Sequence, residues 1–119
     1  MSIKTHKEQQ NFASGYVHEW PTTSVPRDPS FYEPVPAKHK HGWSHFVDML
    51  KSRKISWDIA GETIRNGEVY EAEDDNHYRF LWTDPTTLLT YSLIVELRPE
   101  AFAFKQKKHY AVTIYRVER

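Results

Sequence analysis

The segment His45-Phe-Val-Asp-Met-Leu-Lys-Ser-Arg-Lys-Ile55 carries an amphipathic pattern from which the rest of the chain can be laid out. Phe46, Val47 and Leu50 follow the i, i+1, i+4 spacing of a buried helical stripe, with Trp43 one turn earlier. Ser44 can cap this helix, which runs to about Lys54. Ser56 can cap a second from Trp57 to Arg65, closed by Asn66-Gly67 as a left-handed stop. Alternation then replaces the helical period. Val69 to Glu71 and His77 to Thr83 flank the polar turn Glu73-Asp74-Asp75-Asn76 as a hairpin. Asp84-Pro85-Thr86 turns the chain into Leu88 to Leu97, where Tyr91, Leu93, Val95 and Leu97 share one face and Ser92, Ile94 and Glu96 the other. Pro99-Glu100 ends that strand, Ala101 to Lys108 connects, and His109 to Val117 is the last strand. Two helices followed by about four antiparallel strands predict an α+β layer with both helices on one face of the sheet.

Upstream the composition changes. Five of the seven prolines (Pro21, Pro26, Pro29, Pro34, Pro36) fall in sixteen residues, which forbids helix and favours an extended strap. Trp20, Phe31, Tyr32 and Val35 interleave with them, so the strap is expected to pack on the globular part and bury Trp20 or Phe31. Residues 1–40 therefore read as a polar and Pro-rich extension, and 41–119 as a single α+β domain. A chain of 119 residues with four tryptophans can bury a real core. It has no cysteine, so disulfides and thiolate zinc sites are excluded. With no apolar run of membrane length and no signal-like start, a soluble cytoplasmic protein without membrane contact is expected.

The net charge of zero hides an uneven distribution. Residues 56–76 carry seven acids against Arg65 alone, whereas 98–119 carry six bases (Arg98, Lys105, Lys107, Lys108, Arg116, Arg119) against two acids. The basic end is either a solvated surface or a footprint for a polyanion, with Lys105, Lys107 and Lys108 as candidate RNA contacts. Zero overall charge limits such binding to a local patch of a few phosphates.

Candidate chemistry centres on His45. Eight residues on a helix make about 2.2 turns, so His45 and Arg53 lie within about 80° around the axis. A histidine titrating near neutrality beside a fixed cation suits phosphodiester chemistry; the plain alternative is a surface helix with two unrelated polar residues. In the second strand Arg79 points away from Tyr78 and Phe80. In the last strand, strict alternation puts Tyr110, Val112, Ile114 and Arg116 on one face and Ala111, Thr113, Tyr115 and Val117 on the other. A metal-free ribonuclease needs an acid or base near the ribose 2′-hydroxyl and cations for the developing charge. His45 can be the acid or base, Arg53, Arg79 and Arg116 the cations, and Tyr115 a hydrogen-bond donor or stacking ring. His39, His41 and His45 share a spacing that can gather imidazoles, but no carboxylate or cysteine stands near, so no metal and no cofactor is expected. No nucleophile elbow and no phosphate-cradling glycine loop is present.

His45, the nonpolar Phe46, Leu50, Arg53, Ile55 and Ser56 resemble the opening signature of small prokaryotic domains grouped as domain of unknown function 4258. The resemblance continues through Trp57 to Asn66, Gly67 to Glu71, Tyr78 to Leu81 and Val112 to Val117, about two thirds of the chain. Where that pattern has an arginine four residues after the histidine, this chain has Met49. The resemblance implies a ribonuclease-like toxin of the barnase, EndoU, colicin and RelE fold. It also implies RNA as substrate, no metal, and a cognate antitoxin or inhibitor protein as partner. The alternative is a non-catalytic module of the same fold, binding protein or nucleic acid, with the Met49-position arginine lost.

Overall fold

Residues 15–36 and 45–117 are described by the computed structural model, an α+β arrangement of three α-helices and one five-stranded mixed sheet. In chain order the elements are β1 (Tyr32–Pro34), α1 (His45–Arg53), α2 (Trp57–Asn66), β2 (Glu68–Glu71), β3 (His77–Thr83), β4 (Thr90–Glu96), α3 (Pro99–Ala103) and β5 (His109–Arg116). The sheet order is β1-β5-β4-β3-β2. β2 to β5 form an antiparallel meander, and β1 pairs parallel with β5, Tyr32 opposite His109.

The expected four antiparallel strands are thus corrected to five, and the fifth comes from the proline-rich strap. Pro34 lacks an N–H, but an edge strand with one unpaired side tolerates that loss. The next residue restores the ladder: Val35 N–H donates to the Ala111 carbonyl at 2.9 Å. Pro29 opens a 3-10 turn behind Asp28, whose carboxylate accepts from Ser30 N–H at 2.9 Å. Val25 and Tyr32 are buried, and Trp20 packs half-buried on the core and against the Phe102 ring, centroids 4.8 Å apart. Phe31 stays exposed, so Trp20 is the aromatic anchor of the pair. A third helix, the short α3, occupies part of the stretch read as connection.

Both long helices end within a residue of the expected positions, but the stop of α2 differs in kind. The Ser56 hydroxyl does cap α2, accepting from Ile59 N–H at 3.2 Å. Gly67, however, has φ −73°, so it is no left-handed stop. Close approach demands glycine here: a Cβ would stand 2.5 Å from the Thr63 carbonyl oxygen and 2.9 Å from that of Leu81. The strap's Arg27 guanidinium reaches this end and donates to the carbonyls of Ile64 and Gly67. α1 terminates in left-handed Lys54, φ 55°, followed by the Ile55 N–H bond back to Leu50 at 2.9 Å. Ser44, Trp43, His39 and His41 lie outside the described residues, as does Arg119.

The core lies between the helices and one sheet face. Tyr78, Phe80, Leu93, Val95 and Ile114 are fully enclosed there with Phe46, Leu50, Ala60 and Ile64. Strict alternation fails once, in β5. Ile94 pairs with Thr113 but the next residue, Val95, pairs with Ala111, leaving Val112 as the extra residue of a bulge. Ala111 and Ile114 therefore both face the core, and Tyr110, Thr113 and Tyr115 share the opposite face. The expected grouping of Tyr110 with Ile114, and of Ala111 with Tyr115, is corrected by this single insertion.

Candidate nucleic-acid interface

At the end of β5 the structure gathers three of the expected residues. Arg53, the last residue of α1, reaches across the β5 edge that β1 leaves uncovered and donates to the Ile114 carbonyl at 2.7 Å. Its guanidinium carbon stands 5.8 Å from the Tyr115 ring centroid. Arg116 runs the other way, donating to the carbonyls of Arg53 at 2.7 Å and Lys54 at 3.1 Å. Those carbonyls are orphans of the helix terminus, where the macrodipole favours a cation. Arg116 also lies 5.8 Å from the Tyr91 ring, which stacks with Trp82. Among the described residues no carboxylate lies within ion-pair distance of Arg53 or Arg116. Both side chains are exposed, and Lys51 and Lys54 extend the same positive end.

The other two expected residues are elsewhere. His45 opens α1, exposed, and eight helical residues separate it from Arg53, about 12 Å along the axis. Their shared angular sector does not bring them to one phosphate. Arg79 pairs with Tyr70 and Ile94 and points to the sheet face opposite the helices, as its alternation with buried Tyr78 and Phe80 requires. The sheet therefore separates it from α1.

Lys105, Lys107 and Lys108 belong to the α3–β5 connection, at the start of β5. The strand puts roughly 24 Å between Lys108 and Arg116, so the basic C-terminal segment forms two separate positive ends. At the lysine end Arg98 donates to the Lys108 carbonyl at 2.8 Å, stacks 4.2 Å from the Tyr110 ring and pairs with Glu100 at 3.4 Å. Its backbone N–H donates to His109 Nδ1 at 3.0 Å, which places the imidazole proton on Nε2. Burial, with the Arg98 charge beside it, pushes the His109 pKa down to about 4.

An apolar cleft of about 90 Å³ lies between β1, α1 and α2, lined by Tyr32, Pro34, Phe46, Trp57 and Ile64 among others. It is well below the size of ordinary small-molecule pockets, ~300–1,000 Å³, and its lining offers little polar chemistry. Among the described residues no group of three metal-ligating side chains forms. No described helix is long and apolar enough to cross a membrane. Two relevant residues escaped sequence reasoning. Lys54 is adjacent to Arg53 and was legible as a charge, while Ser92 carries no signal beyond its place in β4. The signature residues mostly serve the fold: Phe46, Leu50 and Ile55 are buried, Ser56 caps α2, Arg53 ties α1 to β5, and Met49 packs on the core. No protein-family model, curated protein or solved structure is significantly similar to the chain.

Proposed function

We propose that this chain is an RNA-binding module that grips a single strand at the α1–β5 end without cleaving it. The observation that carries the reading is the Arg53–Arg116 tie, two guanidiniums that hydrogen-bond backbone carbonyls with no carboxylate partner among the described residues, Arg53 beside the Tyr115 ring and Arg116 beside that of Tyr91. Guanidinium forks suit phosphate oxygens, and a neighbouring aromatic ring suits an unstacked base. Single-stranded RNA supplies both groups together. Cleavage would further need an acid or base within hydrogen-bond reach of the held phosphate, about 3 Å or one water away. His45 stands about 12 Å along α1 from Arg53, so the resemblance to ribonuclease toxins supports a shared shape more than shared chemistry.

Binding of a labelled single-stranded RNA tests this reading. About three phosphate contacts predict a slope of log K against log salt near −2, at ~0.7 per phosphate for single strands. Double-stranded RNA, whose bases are stacked, should bind more weakly. The RNA should be recovered intact. RNA cleavage that disappears in His45→Ala would establish the nuclease instead, with or without a cognate inhibitor. Absence of binding at low salt would remove both readings and leave a protein partner.

A further inference from the structure

We propose that Arg79 and Ser92 form a phosphate subsite on the sheet face opposite the helices, a second contact for the strand held at the α1–β5 end. The proposal rests on the RNA-binding reading, and it starts from two polar groups that the fold leaves unused. Arg79 makes no ion pair and no hydrogen bond among the described residues, and its Nε is sealed from solvent. Ser92 is 0 % exposed and its hydroxyl has no partner. A buried polar atom without a partner is unfavourable, and native folds rarely keep one without a use. Two in one place are rarer still.

The sheet register makes them neighbours. Tyr70, Arg79, Ile94 and Thr113 form one row across four strands, and Glu68, Leu81, Ser92 and Tyr115 form the next. Arg79 and Ser92 are therefore diagonal partners on one face, ~7–8 Å apart at Cα and within reach of a long side chain. The hydroxyls of Thr113 and Tyr115 stand in the same two rows. A cation with a free fork beside hydroxyl donors is the donor set a phosphate takes. The carboxylates nearest in register, Glu68 and Glu96, do not pair with Arg79; Glu68 instead accepts from the Tyr70 hydroxyl.

Tyr115 joins this subsite to the first. It shares its row with Ser92, and its ring lies 5.8 Å from the Arg53 guanidinium carbon. Two strand spacings of ~4.8 Å and one two-residue step separate Tyr115 from Arg79, roughly 12 Å in all. A strand can thus leave Arg53 and Arg116, stack a base on Tyr115 and lay a later phosphate on Arg79 and Ser92.

The test compares Arg79→Gln, Arg79→Lys and Ser92→Ala with the unaltered protein, using a single-stranded RNA of about ten nucleotides with and without a 5′-phosphate. Inorganic phosphate, followed by the chemical shift of the Arg79 Nε–H, serves as a second probe. Arg79→Gln should weaken RNA binding about tenfold and lower the salt slope by ~0.7, one phosphate contact. Ser92→Ala should weaken binding several-fold while leaving the melting temperature unchanged or raised, because it removes an unsatisfied hydroxyl. Arg79→Lys should keep the slope but lose affinity, since an ammonium lacks the fork. A gain from the 5′-phosphate that Arg79→Gln abolishes identifies a terminal phosphate; equal losses for both RNAs identify an internal one. RNA binding that none of the three changes affects would overturn the subsite and leave the RNA reading standing. No RNA binding, with inorganic phosphate still shifting Arg79, would keep the subsite and remove that reading. A fall in melting temperature for Ser92→Ala with unchanged RNA binding would show a structural hydroxyl and overturn the proposal.

Discussion

Arg53 and Arg116 anchor each other's backbone: the Arg53 guanidinium bonds the carbonyl two residues before Arg116, and the Arg116 guanidinium bonds the carbonyl of Arg53 itself. The reciprocal tie fixes the C-terminal end of α1 to the last residues of β5. It also gathers two cations at one junction with no carboxylate partner among the described residues, their neighbours being backbone carbonyls and the Tyr115 and Tyr91 rings. On the RNA-binding reading proposed above, this same junction is where a phosphate would meet both cations.

Arg116→Ala should therefore destabilise the protein by about 1–2 kcal/mol, the loss of two bonds to helix-terminal carbonyls. Arg116→Lys should recover only part, because one ammonium does not reproduce the fork. Urea unfolding measures both. A stability unchanged by Arg116→Ala would mean that water satisfies the α1 carbonyls equally well.

Gly67→Ala should cost more, about 2–4 kcal/mol. The new methyl meets two carbonyl oxygens, those of Thr63 and Leu81, and neither can swing aside as a side chain would. The penalty comes from space, as the φ of −73° suits any residue. Serine at this position should do no better than alanine.

His109 sets an acid limb on stability. Its folded pKa, about 4, lies below the 6.5 of a free imidazole, so the unfolded chain binds the proton more readily between those pH values. Its contribution is complete above pH 6.5 and is lost as pH falls toward 4, by about 3 kcal/mol at most. Protonating Nδ1 would also break the bond it accepts from Arg98 N–H. Melting followed from pH 7 to pH 4 should show this fall, and a His109→Leu variant should flatten it. Identical pH profiles for the two proteins would dismiss His109 as the cause.

If the chain binds RNA as proposed, Lys107 and Lys108 would gauge the length of the bound strand. They lie roughly 24 Å along β5 from Arg116, so neutralising both should leave a four-nucleotide RNA unaffected. A strand long enough to span the sheet should lose one to two units of salt slope. Equal losses for short and long RNA would place the strand at the lysine end instead.

Much of this architecture was legible because local patterns and packing agree. Tyr91, Leu93 and Val95 alternate with Ser92, Ile94 and Glu96 as the sheet requires, and Ser56 caps as its position demands. The bulge was not legible: Val112 fits regular alternation with Ile114, and only pairing with β4 shows it to be the extra residue. β1 was hidden because proline density argues for an extended strap whether or not a sheet edge waits for it. The candidate site was read as one cluster because His45, Arg53, Arg79, Tyr115 and Arg116 suit one reaction. Rise along α1 and the two faces of the sheet decide where they go, and spacing in sequence reports neither.

The parallel pairing of β1 with β5 sets the order in which the molecule can be completed. Among the described strands β1 is the first in sequence, and its one partner in the sheet, β5, is the last. Tyr32 and the strap behind it cannot take their final places until β5 has been synthesised. The helices and the β2–β4 meander can assemble earlier from nearby segments, with the β4 edge open until β5 arrives. Until β5 is available to both, the chain carries two unpaired strand edges at once, that of β1 and that of β4, each a template for pairing with another chain.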